Sequence, residues 1–207
     1  LVRVDPAPVI RHLSEAGVSE TGDLKPLSVR EGAVTTMAPL ARFFAWHSPP
    51  AFDANGRLLA AWSADGWGLV LECASGRLVA ELPWKGPGSG KPVRRNVRLD
   101  LSPDGNQVAM VARGTLICQR LDQESGTWKS KTSVGHVTDV VFHPDGHTLF
   151  VTNSKGEVHR LDAATGRIVM SLDLKIGLLL CVAINSLGSV AAVGNRGGHV
   201  ALLDIDF

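Results

Sequence analysis

Val140-Val141-Phe142-His143-Pro144-Asp145-Gly146 runs straight into Leu149-Phe150-Val151-Thr152, two short apolar stretches joined by a tight polar turn. Such a pattern suits a pair of strands, because glycine supplies the positive φ that a close hairpin demands. Comparable turns occur at Asp53-Ala54-Asn55-Gly56, Pro103-Asp104-Gly105 and Leu187-Gly188, with glycine-to-glycine steps of 49, 41 and 42 residues along the chain. A second set, Asp65-Gly66, Arg113-Gly114, Lys155-Gly156 and Gly197-Gly198, follows the first by nine or ten residues. A third, Ser75-Gly76, Ser125-Gly126 and Thr165-Gly166, comes ten or twelve residues later.

Between the turns lie five to seven residues rich in Val, Leu, Ile and Ala, too short for helices and well suited to strands. Leu58–Trp62, Val108–Val111, Leu149–Thr152 and Val190–Val193 form one strand type; Leu69–Glu72, Leu116–Leu121, Val158–Asp162 and His199–Asp204 form the next. Three hairpin turns per unit imply four antiparallel strands, and a period of about 40–45 residues with several strands per unit marks propeller blades. The expected fold is therefore all-β, a β-propeller segment of four-stranded antiparallel blades belonging to a larger propeller.

One unit carries a family resemblance. Gly135-His136, the strand ending Phe142-His143-Pro144-Asp145-Gly146, Val158-His159-Arg160-Leu161-Asp162 and Thr165-Gly166 together resemble a WD repeat. In that family a Gly-His pair opens the blade and a Trp-Asp pair closes the third strand. Here Leu161 replaces the tryptophan, and Lys155 stands where the family usually has an aspartate. The resemblance, which covers about residues 46–207, thus implies a degenerate repeat without an intact His–Asp–Trp network. Leu71-Glu72 and Leu203-Asp204 depart from Trp-Asp in the same way. Leu161-Asp162-Ala163-Ala164-Thr165-Gly166-Arg167-Ile168-Val169 also looks like the repeat of quinoprotein propellers, in which a tryptophan after the glycine turn docks neighbouring blades. That place falls near Met170 here, and near Ala80 in the earlier unit.

Composition agrees with a water-soluble β domain. Hydrophobic residues make up 44%, charged residues 20%, and 22 glycines and 11 prolines serve the many turns. A net charge of +1 selects neither nucleic acid nor a membrane surface. The longest apolar run, Ile176–Ile184, is too short to span a bilayer as a helix. No secretory signal is visible at the amino terminus, and Cys73, Cys118 and Cys181 lack metal-ligand spacing. Buried thiols and a cytoplasmic, reducing location are expected.

The units are placed near 46–82, 96–133 and 134–172, with a partial unit at 178–207. Residues 1–45 form a partial blade plus an irregular segment, and 14–45 read as an insertion, a helix around Pro8–Ala16 or a further degenerate blade. Val9–Leu13 is expected either to pair beside His199–Asp204 or to leave an open edge available for self-association.

Signals for chemistry are weak. Gly86-Pro87-Gly88-Ser89-Gly90-Lys91 fails the phosphate-loop spacing at Lys85 and Pro92. His136, His143, His147 and His159 match no zinc pattern and read as solvent-exposed turn histidines. Asp53, Asp104 and Asp145 read as turn residues that bond nearby backbone. No nucleophile elbow and no positioned acid pair occur, so no catalytic residue, cofactor or metal is assigned.

The link Pro83–Asn96 stands apart: it is long, holds no acid, and contains Trp84, Lys85, Lys91, Arg94 and Arg95. Tryptophan and arginine are enriched at binding hot spots. With strands running a to d, Trp46, Trp62, Trp67 and Trp84 approach one rim, although alternation also allows Trp62 to lie between blades. Trp67, Trp84, Lys91, Arg94 and Arg95 are the candidate surface for an acidic or aromatic protein segment. The function expected is a non-enzymatic, WD-repeat-like scaffold for a protein partner. The alternative is a quinoprotein-like or other cofactor-binding propeller enzyme, recognisable by a channel lined with converging acids, arginines or histidines. Nucleic-acid binding through the basic link is a weaker third reading, marked by steep salt dependence.

Overall fold

The computed structural model describes residues 26–27, 36–37, 48–62, 66–83, 96–122, 127–129 and 134–205. Within 1–45 two short strands, β1 (Pro26–Leu27) and β2 (Thr36–Met37), pair antiparallel. Val9–Leu13 lies outside the described residues, as does the helix considered around Pro8–Ala16.

Among the described residues from 48 onward, every regular β element belongs to one of four antiparallel sheets in chain order. The first sheet holds β3 (Ala51–Phe52), β4 (Leu58–Trp62), β5 (Trp67–Glu72) and β6 (Leu78–Pro83). The second holds β7 (Arg98–Leu101), β8 (Gln107–Ala112), β9 (Thr115–Arg120) and β10 (Trp128–Lys129). The third holds β11 (Val137–Phe142), β12 (Thr148–Asn153), β13 (Glu157–Asp162) and β14 (Ile168–Asp173). The fourth has three strands, β15 (Leu179–Ile184), β16 (Val190–Asn195) and β17 (Val200–Asp204). No α-helix occurs among the described residues.

The first hairpin of each sheet uses the same turn, and the backbone bonds explain why glycine recurs there. The amides of Gly56, Gly105, Gly146 and Gly188 each donate to the carbonyl three residues back, at 2.8–3.0 Å, and each glycine has φ between +63° and +74°. The aspartates act locally as expected. Asp53 Oδ1 accepts from the Leu58 amide at 2.9 Å, Asp104 Oδ1 from Asn106 at 3.0 Å, and Asp145 Oδ1 from His147 at 2.7 Å.

Alternation along the strands gives each sheet two faces, and the faces stack. Leu58, Ala60, Trp62 and Val70 of the first sheet meet Leu99, Leu101, Val108 and Met110 of the second. Ala109, Val111, Leu116 and Cys118 on the opposite face of the second sheet meet Val140, Leu149, Val151 and Leu161 of the third. Phe150 and Val158 then meet Leu179, Val182, Ala191 and Val193 of the fourth. Fully burying a Val, Leu or Phe is worth about 1.5–3 kcal/mol. These three seams hold the stack together, with β3, β7, β11 and β15 side by side along its inner edge.

Candidate functional site

The inner edge encloses a cleft of about 580 Å³, lined by Pro49, Pro50, Arg98, Asp100, Asp139 and Cys181 among others. Period-two alternation places them there. Arg98 and Asp100 share one face of β7, while Asp139 on β11 and Cys181 on β15 occupy the corresponding face of their own strands.

At each seam a side-chain oxygen of one inner segment takes an amide of the next. Ser48 Oγ accepts from Val97 at 3.2 Å, Asp100 Oδ2 from Phe142 at 2.6 Å, and Asp139 Oδ2 from Val182 at 3.0 Å. Arg98 Nε lies 3.6 Å from Asp139 Oδ1. Burial pushes the Asp100 carboxyl up to about 7, against the pull of the Phe142 and Leu101 amides and with the Asp139 charge adding to the rise. Burial also raises Asp139, opposed by the Val182 and Val140 amides and by Arg98. The cleft wall is thus mostly apolar, and its charged groups, the two acids and the arginine, are engaged in bonds between strands.

Of the proposed partner surface, Trp67 is described. It opens β5 opposite Pro83, the residue from which the long link departs, and is 43% exposed. Trp84, Lys91, Arg94 and Arg95 lie outside the described residues, as do Trp46 and the glycine-rich run 86–91. Trp62 belongs to the seam between the first two sheets at 1% exposure, rather than to the rim.

The histidines depart from the expectation of simple solvent exposure. His159 is buried, with Nδ1 2.7 Å from Ser171 Oγ and Nε2 3.2 Å from Asn153 Nδ2. His143 Nε2 reaches the Gly188 carbonyl at 2.9 Å and so ties the third sheet's first turn to the fourth's. His136 and His147 are exposed. No group of three potential ligands comes together among the described residues. The cysteines divide too. Cys118 is buried and its thiol pushed up to about 12, Cys73 is partly buried, and Cys181 is exposed on the cleft strand.

Asn153 occupies the position just before Ser154-Lys155 and organises the polar centre of the third sheet. Its Nδ2 donates to the Val134 carbonyl at 2.9 Å and to Glu157 Oε2 at 2.6 Å, while its Oδ1 accepts from the Lys155 and Glu157 amides, each at 3.0 Å. Asn195 repeats this in the fourth sheet, donating to the Ile176 carbonyl and accepting from His199. This asparagine clasp stands in the region where a WD repeat would carry its polar network.

Trp128 was missed as a contact residue. Its Nε1–H donates to the Ala163 carbonyl at 2.8 Å, and its ring covers Gly166 so closely that a Cβ there would lie 2.5 Å from the ring. It docks the second sheet onto the last turn of the third. The reading from sequence sought such a tryptophan four residues after the turn glycine, at Met170 and Ala80, whereas Trp128 stands two residues after Gly126.

Comparison with known proteins supports the same architecture. The chain is similar to the crystal structure of the Myceliophteria thermophila Cps50 (Swd1) β-propeller domain, at 15% identity and a TM-score of 0.65. The match covers 77% of this chain and 51% of that one, so the chain spans about half of that domain's length. No curated protein matches. A PQQ-type family model described as outer membrane protein assembly factor BamB matches residues 25–171, well over half of the sequence. The stacked four-stranded sheets and this match make the chain a β-propeller protein of the family described as outer membrane protein assembly factor BamB.

Proposed function

We propose that this chain is a non-enzymatic propeller segment that holds a protein partner, a scaffold in the manner of WD-repeat-like domains. The observation that carries the reading is the engagement of the cleft's charged groups. Arg98 faces Asp139, and Asp100 and Asp139 each accept an amide of the next sheet, so they serve the stacking of sheets rather than a reaction. The family's description also names an assembly factor, a role exercised on other proteins.

The partner surface combines exposed Trp67 with Trp84, Lys91, Arg94 and Arg95 of the adjoining link, and takes an acidic or aromatic segment. Acidic peptides with and without an aromatic residue, titrated against the full chain, are the test. Replacing Trp67 and Trp84 together by alanine should weaken binding at least tenfold with the melting transition nearly unchanged. Undiminished binding by the double variant excludes this surface.

A second reading, a cofactor-binding propeller, draws on the cleft itself, where a raised carboxyl faces about 580 Å³ of open space. A ligand in the cleft would perturb Asp100 and Cys181 but leave Trp67 unaffected. Self-association belongs to the scaffold reading, through the outer face of the fourth sheet, where Val200 is 70% and Leu202 73% exposed. Sedimentation of the Val200→Lys, Leu202→Lys double variant against the parent tests it. The three free thiols suit a reducing compartment and the family's description suits the outer membrane, and cell fractionation decides between them.

A further inference from the structure

The three seams close with different chemistry at the inner wall. The first uses a hydroxyl, Ser48 to Val97, which keeps the same charge at every physiological pH. The second and third use carboxylates, Asp100 to Phe142 and Asp139 to Val182. The groups facing Asp100 can be named from each neighbouring element. Its own strand carries Arg98, β11 brings Asp139, β15 brings Cys181, and β8 opposes it with Ala109. The segment Pro49–Ala51 contributes no ionisable side chain. Among the described residues one cation therefore faces two acids, and it lies against Asp139.

We propose that the inner seam between the second and third sheets is a proton-controlled latch: with its proton, Asp100 holds the Phe142 amide as a neutral group, and without it Asp100 confronts Asp139 and loosens the cleft wall. The two favourable amides on Asp100 act to keep it ionised, but desolvation and the like charge of Asp139 outweigh them and lift it to about 7. The sign follows from linkage. Because the folded-state value is raised above the ordinary 3.8, the latch's stabilisation is fully present below about pH 4 and is lost as pH rises through about 7. Asp139 is raised as well, chiefly by burial, so its contribution changes with pH in the same direction.

The measurement is native-state hydrogen exchange of the full chain between pH 5.5 and 8.5, corrected for intrinsic rates. Protection of the Phe142 amide should fall as pH rises from 5.5 to about 7, by up to about tenfold per pH unit for release of one proton, and level off above that, where folded and opened states are both ionised. Protection of the Val97 amide, held by Ser48, should stay level. In Asp100→Asn, which keeps an acceptor oxygen without the charge, the Phe142 profile should flatten to match Val97. If that variant does not fold, Asp139→Asn should move the Phe142 midpoint to lower pH and shrink its amplitude, since the repelling charge is gone. Parallel profiles for Phe142 and Val97 in the parent protein overturn the latch, as does a parental slope in Asp100→Asn or an unmoved midpoint in Asp139→Asn.

Discussion

Val158 in the third sheet and Val200 in the fourth stand two residues after equivalent turn glycines, Gly156 and Gly198, yet Val158 is 0% exposed and Val200 is 70% exposed. The strands that carry them pair in the same way with their neighbours, β12 in one case and β16 in the other. What differs is the layer outside. Val158 lies under Leu179, Val182, Ala191 and Val193 of the fourth sheet, while Val200 and Leu202 face outward. The third sheet is also clasped from its other side by Trp128, through Ala163 and Gly166. A repeat pattern therefore specifies which residues share a face, and the neighbouring sheet decides whether that face becomes core.

The largest loss should come from undoing the clasp. Trp128→Ala removes an indole and its hydrogen bond, and should destabilise the protein by about 3 kcal/mol in urea unfolding. Trp128→Phe, which keeps most of the ring and loses only the N–H, should lose about 1 kcal/mol. Gly166→Ala should approach the Trp128→Ala loss, because φ is +68° and the new Cβ must displace the ring. Since both changes break one contact, the Gly166→Ala, Trp128→Ala double variant should be no worse than about the larger single loss. Additive losses would show that the clasp is not what joins the two sheets.

The asparagine clasps give the next effect and a direct contrast between the sheets. Asn153 is itself 0% exposed, and Asn153→Ala leaves the buried Val134 carbonyl, two amides and the partly exposed Glu157 carboxylate short of a partner, so it should lose about 2–3 kcal/mol. Asn195 is partly exposed, so water can replace its bonds and Asn195→Ala should lose about 1 kcal/mol. Equal losses would mean that the fourth sheet's clasp is as dry as the third's.

Much of this architecture was legible because each hairpin is a local event. The turn glycines, the strand spans and the two-faced alternation depend on residues within a few positions of one another. Contacts across the seams follow a different logic. Asp100 and Phe142 are 42 residues apart, Trp128 and Ala163 are 35 apart, and no local pattern announces either pair. Arg98 and Asp100 could be placed on one face of a strand, but that the next inner strand would bring Asp139 against Arg98 depends on how the sheets stack. His159 looked like a surface residue because it follows a polar turn; the fourth strand of its own sheet supplies Ser171, which makes a buried place for it.

Matched valine truncations probe the covering layer itself. Val158→Ala should lose about 2 kcal/mol, since two methyl-sized groups leave a closed site and a cavity remains. Val200→Ala should change stability by less than about 0.5 kcal/mol, as expected for a surface position. A Val200→Ala loss equal to that of Val158→Ala, read from denaturant midpoints at unchanged slope, would show the outer face of the fourth sheet to be covered in solution.

The smallest effect separates the sheets by titration, because the place of His159 is held in the fourth sheet by Ala201, which carries no proton. Burial holds the His159 imidazole below its ordinary 6.5, with Lys155 pushing the same way and Glu157 opposing both. A depressed histidine is bound to fewer protons when folded than when unfolded. Its contribution is therefore present above about pH 6.5 and is lost as pH falls below that value toward the folded-state one. This runs opposite to Asp100, so the parent protein's melting curve mixes the two, and the informative quantity is the difference between parent and His159→Gln. On acidification from pH 7.5 to 5.5 the parent should lose up to about 1 kcal/mol relative to His159→Gln, with glutamine still able to bond Ser171. A difference that stays constant across this range would mean that the third sheet's interior admits the imidazolium as readily as water does.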